Sequence, residues 1–582
     1  MFPKLKISSL VLKRFEKVQQ QCSGCLFGLM YDGNLLVLGF NIETTIGQFN
    51  YKQIQYKFPA ELDLCGLVKF GTDGVTEANI SKVIQDVDIT DNPILLQCEL
   101  GTLVDLKASL FMHGKLQQIS YEVISEEELY ADFCFARVQC GFNFLTEEDS
   151  DRVAKNMQRL RKNFACGSPI FRIKNTNINL TGTSTGCSSK SDIAEVLSAI
   201  SASTNPQKSK KHSKLQTPTE YEMIIIDVLK QKTKETSEAK LKAARMITKS
   251  CENFIRVPLA VDVLAMLYKP TMLAGLYDIL VESVCRSLRL IEHTLAERVR
   301  EGHTLPVVRI DHFLVPELGH FLSCVYPEGI SEDDDYMKQK RKKLHHHFDI
   351  PLTRPYFRKG SRYIAKEDLP AGVLTNTHVG VKASNVKDGK QYLVQGKYSY
   401  YHYMQQNFND NGWGCAYRSL QTLCSWFRWQ GYTERDVPTH DEIQKYLVEI
   451  GDKDRNFIGS KQWIGSTEVS MCLSGLLGVD SKILHVSSGS ELASKGYDLL
   501  MHFESQGTPI MVGGGTLAHT ILGIDFNSTT GELKFLILDP HYTGEDDLGI
   551  IQSKGWCGWK GIDFWSKNSY YNLCMPQRPI MF

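Results

Sequence analysis

The stretch Asp410-Asn-Gly-Trp-Gly-Cys-Ala-Tyr-Arg-Ser-Leu-Gln-Thr-Leu-Cys-Ser-Trp-Phe427 limits what this chain can build more than any other part of it. It opens with turn residues and continues with helix formers, so it predicts a tight turn running directly into a helix. Gly412 and Gly414 permit a close backbone approach and positive φ. Cys415 then falls at or near the first helical turn, where free N–H groups and the positive end of the dipole lower a thiol's pKa. A thiolate is a nucleophile; a cysteine elsewhere is usually a small packing residue. Cys424, inside the same helix, reads as the second kind.

A cysteine nucleophile needs a base, and two histidines downstream qualify. The first is His541 in Asp539-Pro-His541. It follows a predicted hairpin with strands at 520–526 and 533–538 and a turn at Asn527 to Gly531. Residues two apart in an extended chain share a side, and Pro540 biases Asp539 to an extended backbone. The carboxylate can then fix the imidazole's tautomer and stabilise its charge. The second is His519, at the end of Gly513-Gly-Gly-Thr-Leu-Ala-His519. His541 is the preferred base; His519 and the glycine run around Gly514 are then assigned to the channel for a substrate tail.

Composition narrows the rest. The 582 residues are enough for two or three domains. Lys plus Arg and Asp plus Glu are 66 each, so there is no basic footprint for nucleic acid. Met1 to Phe15 lacks the uninterrupted apolar core of a secretory signal, and the 16 cysteines read as reduced thiols of a cytoplasmic protein. Cys22-Ser-Gly-Cys25 is a CxxC without a second pair. The most apolar stretch, Val261 to Val281, is interrupted by Asp262, Lys269, Pro270 and Asp278, so no membrane span is expected.

The expected fold class is α+β, in four parts: a non-catalytic mixed domain over 1–180, a flexible linker over 181–219, a helical or mixed continuation over 220–350, and a catalytic domain over 360–582. Cys25 to Leu38 reads as a hairpin turning at Asp32-Gly33. Such a hairpin resembles the opening of metalloprotease-like (MPN) domains, but His113 is the one histidine before residue 200, too few for their zinc site. The linker is rich in Ser, Thr, Gly and Lys and includes Lys208 to His212. Leu280, Val284, Leu288, Ile291, Leu295 and Val299 recur at helical spacing and predict a core-facing stripe. The run His345-His346-His347 points three ways on a helix and is not read as a metal site. No metal or cofactor is expected.

Tyr392 to Gln405, the Gly412-Trp-Gly-Cys415 box, Trp463-Ile-Gly-Ser466, Gly513 to Asp525 and Asp539-Pro-His541 together resemble the proteases specific for ubiquitin-fold modifier 1. The match covers about 360–582, and the upstream extension resembles the long members of that family. The resemblance implies a papain-like fold with Cys415 as nucleophile, His541 as base, Asp539 as its partner and Tyr403 as an oxyanion-hole hydroxyl. Trp413, Gly412, Gly414, Gly514 and His519 are the substrate-binding candidates. It implies as partners the modifier and its conjugates, cleaved after the terminal glycine, and a membrane-anchored adaptor on the cytosolic face of the endoplasmic reticulum, bound through the N-terminal half. Two alternatives stand beside it: an autophagy-type cysteine protease acting on another ubiquitin-like protein, and a docking scaffold.

Overall fold

In the computed structural model, residues 3–43, 51–71, 83, 85–101, 106–166, 169–182, 191–204, 221–230, 254–365 and 373–581 are described. The chain divides into two compact units, Met1–Pro351 and Leu352–Phe582.

Asp32 and Gly33 both take positive φ, 44° and 72°. A two-residue turn of that hand matches strand twist, so it joins β1 (Cys22–Tyr31) to β2 (Asn34–Phe40) as the expected hairpin. These strands sit in an eight-stranded mixed sheet that closes with the strand Tyr121–Ile124. Cys22 and Cys25 both lie on β1, three residues apart and hence on opposite faces, so they cannot act as a chelating pair.

The second sheet of this unit has five strands. Its longest pairing is made by β3 (Phe133–Thr146), which runs parallel to the central strand β4 (Met223–Lys230) and antiparallel over its full length to the edge strand β5 (Ile255–Tyr268). The expected division at residue 180 therefore cuts through one sheet. Composition pointed to a linker there, but the pairing of β3 with β4 is non-local and leaves no mark on composition. Part of the expected linker is also ordered: after α1 (Ser150–Ala165) comes α2 (Ile193–Thr204). Ile193, Val196 and Leu197 of α2 are buried in the core between the sheet and its helices. Their i, i+3, i+4 spacing is an apolar stripe that the surrounding serines obscured. The basic run Lys208 to His212 lies outside the described residues.

The helical stripe forms α3 (Leu273–Arg300). Leu280, Val284, Leu288, Ile291 and Leu295 are buried in the same core, and Val299 is half-buried. Val261 to Val281, the most apolar stretch, is divided between β5 and the start of α3. His113 sits at a hairpin turn with φ 48°.

In the second unit a seven-stranded sheet packs against α4 (Cys415–Trp429), α5 (His440–Glu449) and α6 (Ser466–Leu477). The sheet includes β6 (Ile510–Gly514), β7 (Leu517–Phe526), β8 (Leu533–Leu538) and β9 (Tyr571–Pro576), with β7 paired to β6 on one side and β8 on the other. The β7–β8 hairpin has the expected turn. Asn527 Oδ1 accepts from the N–H groups of Thr529 and Thr530, and Gly531 supplies the positive φ of 77°. The Cys415 helix covers one face of this antiparallel sheet and the helix Gly496–Ser505 packs on the other, making an α+β domain.

Replacing Val196 with Asp should therefore lower the stability of the N-terminal unit by about 2 kcal/mol or more, because it buries a charge without a partner. Chemical denaturation of the full chain would read this loss, whereas a linker position would show no change.

Candidate active site

Gly412 takes φ 84° with open space around it, while Gly414 has an ordinary φ of −88°. What requires glycine at 414 is proximity: a Cβ there would lie 2.6 Å from Asp410 Cβ and Oδ2. The Asp410 carbonyl accepts the N–H groups of Trp413 (3.2 Å) and Gly414 (2.9 Å), closing the turn that delivers Cys415 as the first residue of α4.

Three groups converge on the Cys415 sulfur: the His541 imidazole, the backbone N–H of Ala518 on β7 and the Tyr403 hydroxyl. Burial alone raises a thiol's pKa, but here these hydrogen bonds and the charge of His541 outweigh it, and the thiol is held below its ordinary value. The Tyr403 hydroxyl also faces the backbone N–H of Cys415. Burial, followed by the neighbouring sulfur, pushes the Tyr403 phenol well above its ordinary value, so it stays a hydrogen-bond donor.

At the end of β8, Asp539 Oδ1 accepts from His541 Nδ1 at 2.6 Å and from the His541 backbone N–H at 2.9 Å. Burial disfavours the imidazolium, but the bond to Asp539 and the contact with Cys415 more than offset it, raising His541 to about 9. His541 Nε2 is buried and makes no hydrogen bond of ordinary geometry; beyond Asp539, the Cys415 thiol is the neighbour that raises the ring. Asp539 is held below the usual carboxylate range: burial opposes ionisation, but His541 and His519 outweigh it.

His519 is placed differently from the channel position expected of it. It is buried beside Asp539, with Nε2 3.8 Å from Oδ2, and packs edge-on against Phe564. Burial lowers it to about 4, so it stands neutral at the back of the carboxylate. The residue of that strand which faces the sulfur is Ala518, through its backbone, a contact carried by sheet register (Gly513 opposite Ala518) rather than by residue type. His519, Asp539 and His541 offer ligand atoms within 4.8 Å of one another, among the described residues. The hydrogen bond between His541 and Asp539 already occupies two of those atoms.

Trp413 is buried edge-on against Phe408, Tyr417 and His440 rather than standing free beside the sulfur. A Cβ on Gly514 would lie 2.2 Å from the Tyr571 ring, so that glycine serves the packing of β6 on β9.

Sequence reasoning missed the ion cluster beneath the box. Asp410 and Arg418 are both fully buried, with Arg418 Nε 2.5 Å from Asp410 Oδ2. His440 Nε2 lies 3.1 Å from the same oxygen. Asp410 Oδ1 accepts the Met404 N–H at 2.9 Å, and Arg418 donates to the Gln405 carbonyl at 3.2 Å. The i, i+8 spacing of Asp410 and Arg418 spans the turn and the first turn of the helix, and has no periodic signature.

Two outcomes follow. Arg418→Met leaves the Asp410 carboxylate buried beside His440 alone and should cost about 3–5 kcal/mol of stability in denaturant titrations. Cys415 should react with iodoacetamide at pH values below its ordinary titration, and Asp539→Asn, which removes the charge holding His541 up, should shift that reactivity to higher pH. An unchanged profile would contradict the ion-pair account.

Residues 389–574 match the model for Peptidase family C78. Residues 154–368 match that for "Ubiquitin-fold modifier 1 specific protease 2, N-terminal", and residues 1–129 that for "Insect UFM1-specific protease N-terminal MPN-like domain". "Probable Ufm1-specific protease 2" of Drosophila melanogaster is 54% identical over 609 residues, covering 100% of both chains. "Ufm1-specific protease 2" of Homo sapiens is 49% identical over 330 residues, 56% of this chain and 70% of that one. The crystal structure of UfSP from C. elegans superposes with a TM-score of 0.74 at 25% identity, covering 99% of each chain. The chain thus belongs to the Ufm1-specific protease 2 family, with an N-terminal MPN-like domain and a C-terminal papain-like domain of Peptidase family C78.

Proposed function

We propose that this chain is a thiol protease that cleaves after the C-terminal glycine of ubiquitin-fold modifier 1, both maturing the precursor and freeing the modifier from lysines of its conjugates. The observation that carries the residue assignment is the convergence of one imidazole, one phenol and the Ala518 backbone N–H on the Cys415 thiol. Membership of a protease family named for this modifier supports the substrate. It also weighs against an autophagy-type enzyme, as do the matches over the N-terminal residues.

The Cys415 thiolate attacks the carbonyl carbon of the terminal glycine. The oxyanion that forms is received by the Tyr403 hydroxyl and the Cys415 backbone N–H, which lie next to each other beside the nucleophile. The His541 imidazolium gives the Nε2 proton to the departing amine, a lysine ε-nitrogen or the backbone nitrogen of the precursor, and the C–N bond breaks. Neutral His541 then takes a proton from water, which attacks the thioester. The glycine carboxylate leaves and the thiolate–imidazolium pair is restored. Asp539 keeps Nδ1 protonated throughout. Restriction to glycine calls for a narrow approach to the sulfur, past the turn at Gly412 that delivers Cys415.

We also propose that residues 1–351 dock the enzyme to a membrane-anchored partner on the cytosolic face of the endoplasmic reticulum. The support is a unit with its own sheets and cores that carries no thiol–imidazole–carboxylate grouping like that at Cys415 among the described residues. None of the described helices is long and apolar enough to cross a membrane.

Cys415→Ser should abolish cleavage of the modifier precursor. A modifier carrying a C-terminal electrophile should label Cys415 alone; a labelled peptide containing any other cysteine would overturn the assignment. Tyr403→Phe should lower kcat by about 10²–10³ with little change in KM, the cost of one lost oxyanion donor.

A further inference from the structure

His402 takes no part in the chemistry above, yet it is among the most tightly held side chains of the site. It is 1% exposed, between Tyr400 and Tyr542, whose rings lie 4.9 and 5.0 Å from its own. Its Nδ1 is 2.9 Å from the Tyr403 carbonyl oxygen and 3.0 Å from that of Tyr542. Carbonyl oxygens only accept, so Nδ1 carries a hydrogen and bridges two segments. One segment presents the Tyr403 hydroxyl; the other presents the His541 imidazole.

Its Nε2 is 3.1 Å from Asp546 Oδ1. That oxygen also accepts from Gln405 Nε2 at 2.9 Å, and Gln405 Oε1 in turn accepts the His402 backbone N–H at 3.0 Å. The Asp546 carboxylate oxygen is thus shared between the His402 ring and the Gln405 amide. Histidine, glutamine and aspartate close a ring of hydrogen bonds beneath the segment that follows Tyr403.

That segment needs holding. Met404, Gln406 and Asn407 have φ of 65°, 59° and 55°. A left-handed backbone costs a non-glycine residue about 1–2 kcal/mol, so three of them persist only where surrounding contacts fix them.

We propose that His402 is a positioning residue that locks the Tyr403 segment to the Asp539–His541 turn, keeping the oxyanion donor in register with the proton donor. This rests on the roles given above to Cys415, His541 and Tyr403. His402 reaches the reaction only through its neighbours, and its loss shows in turnover rather than in binding.

The test is steady-state cleavage of the modifier precursor by the full-length chain carrying His402→Phe, His402→Asn or Asp546→Asn, each alone and with Tyr403→Phe. Asn can restore the N–H at the Nδ1 position, and Asp546 is partly exposed, so its variant folds even where the aromatic one does not. His402→Phe is expected to lower kcat about ten- to a hundredfold with KM within about twofold, the size of an ångström-scale misplacement. His402→Asn should regain about tenfold of that loss, and Asp546→Asn should show a smaller loss in kcat. In the Tyr403→Phe background each loss should shrink to within about threefold, because the hydroxyl being positioned is already gone. Unchanged kcat in His402→Phe, equal loss in the Phe and Asn variants, or equal losses with and without the Tyr403 hydroxyl would each overturn the proposal. If His402→Phe does not fold, equal loss from Asp546→Asn in both backgrounds overturns it instead. Cys415→Ser is assayed in parallel: cleavage retained there would overturn the nucleophile assignment, an outcome separate from any result at His402.

Discussion

The carboxylate of Asp410 is the point from which the site is organised. It is removed from solvent, paired to Arg418 and His440, and bonded to the Met404 N–H, while its own carbonyl closes the turn before Cys415. Taking two charges out of water costs several kcal/mol per ion, and a buried pair often only breaks even against an apolar substitute. Its bonds account for its presence. They reach backbone on both sides of the reacting sulfur, so one buried group sets the start of α4 and the segment bearing Tyr403 at once. Gly414 is fixed by the same carboxylate, since any Cβ there would collide with it.

Two pairs of like residues isolate what makes the centre reactive. Cys415 and Cys424 lie on the same helix, both buried, yet burial pushes the Cys424 thiol up while Cys415 is held down. Both are buried, Cys424 the more deeply; a facing imidazole and two further donors belong to Cys415 alone. His541 and His519 flank the same carboxylate, yet one rises to about 9 and the other falls to about 4. His541 has the short bond to Asp539 and the sulfur beyond it; His519 has a 3.8 Å gap to the carboxylate and an aromatic edge. Sequence alone offered both histidines and favoured His541 through the aspartate two residues before it; the geometry shows that His519 flanks the same carboxylate from behind.

The features legible in the sequence are those whose cause is local. The Asp32-Gly33 turn, the Asn527 to Gly531 turn and the stripe on α3 each follow from a few adjacent residues, and each lies where the pattern put it. The Cys415 helix start is of the same kind. What could not be read depends on partners far along the chain. Strand β3 pairs with β4 across the Ser-rich stretch, so composition suggested a division where one sheet continues. The Ala518 contact is set by register, and Arg418 and His440 carry no motif to advertise their common partner. Trp413 and Gly514 are substrate-binding candidates in the sequence because one adjoins the nucleophile and the other lies in a glycine run. Their neighbours, His440 and Tyr571, give each a packing role instead.

A tyrosine as the oxyanion donor carries a mechanical consequence. Its ring stands edge-on to His541, centroids 5.3 Å apart, so the residue that supplies the hydroxyl also walls the imidazole. Its backbone N–H binds the Pro540 carbonyl at 2.9 Å, and the Tyr400 hydroxyl binds the Asp539 carbonyl at 2.5 Å. The turn that holds the base is therefore gripped at consecutive carbonyls by the segment that holds the oxyanion donor. A long flexible amide would need its own restraint, at the cost of side-chain entropy, whereas a phenol has only two rotatable bonds to fix. Neither catalytic loop can shift without the other, so the distance between proton donor and oxyanion donor is set by backbone bonds formed before any substrate arrives.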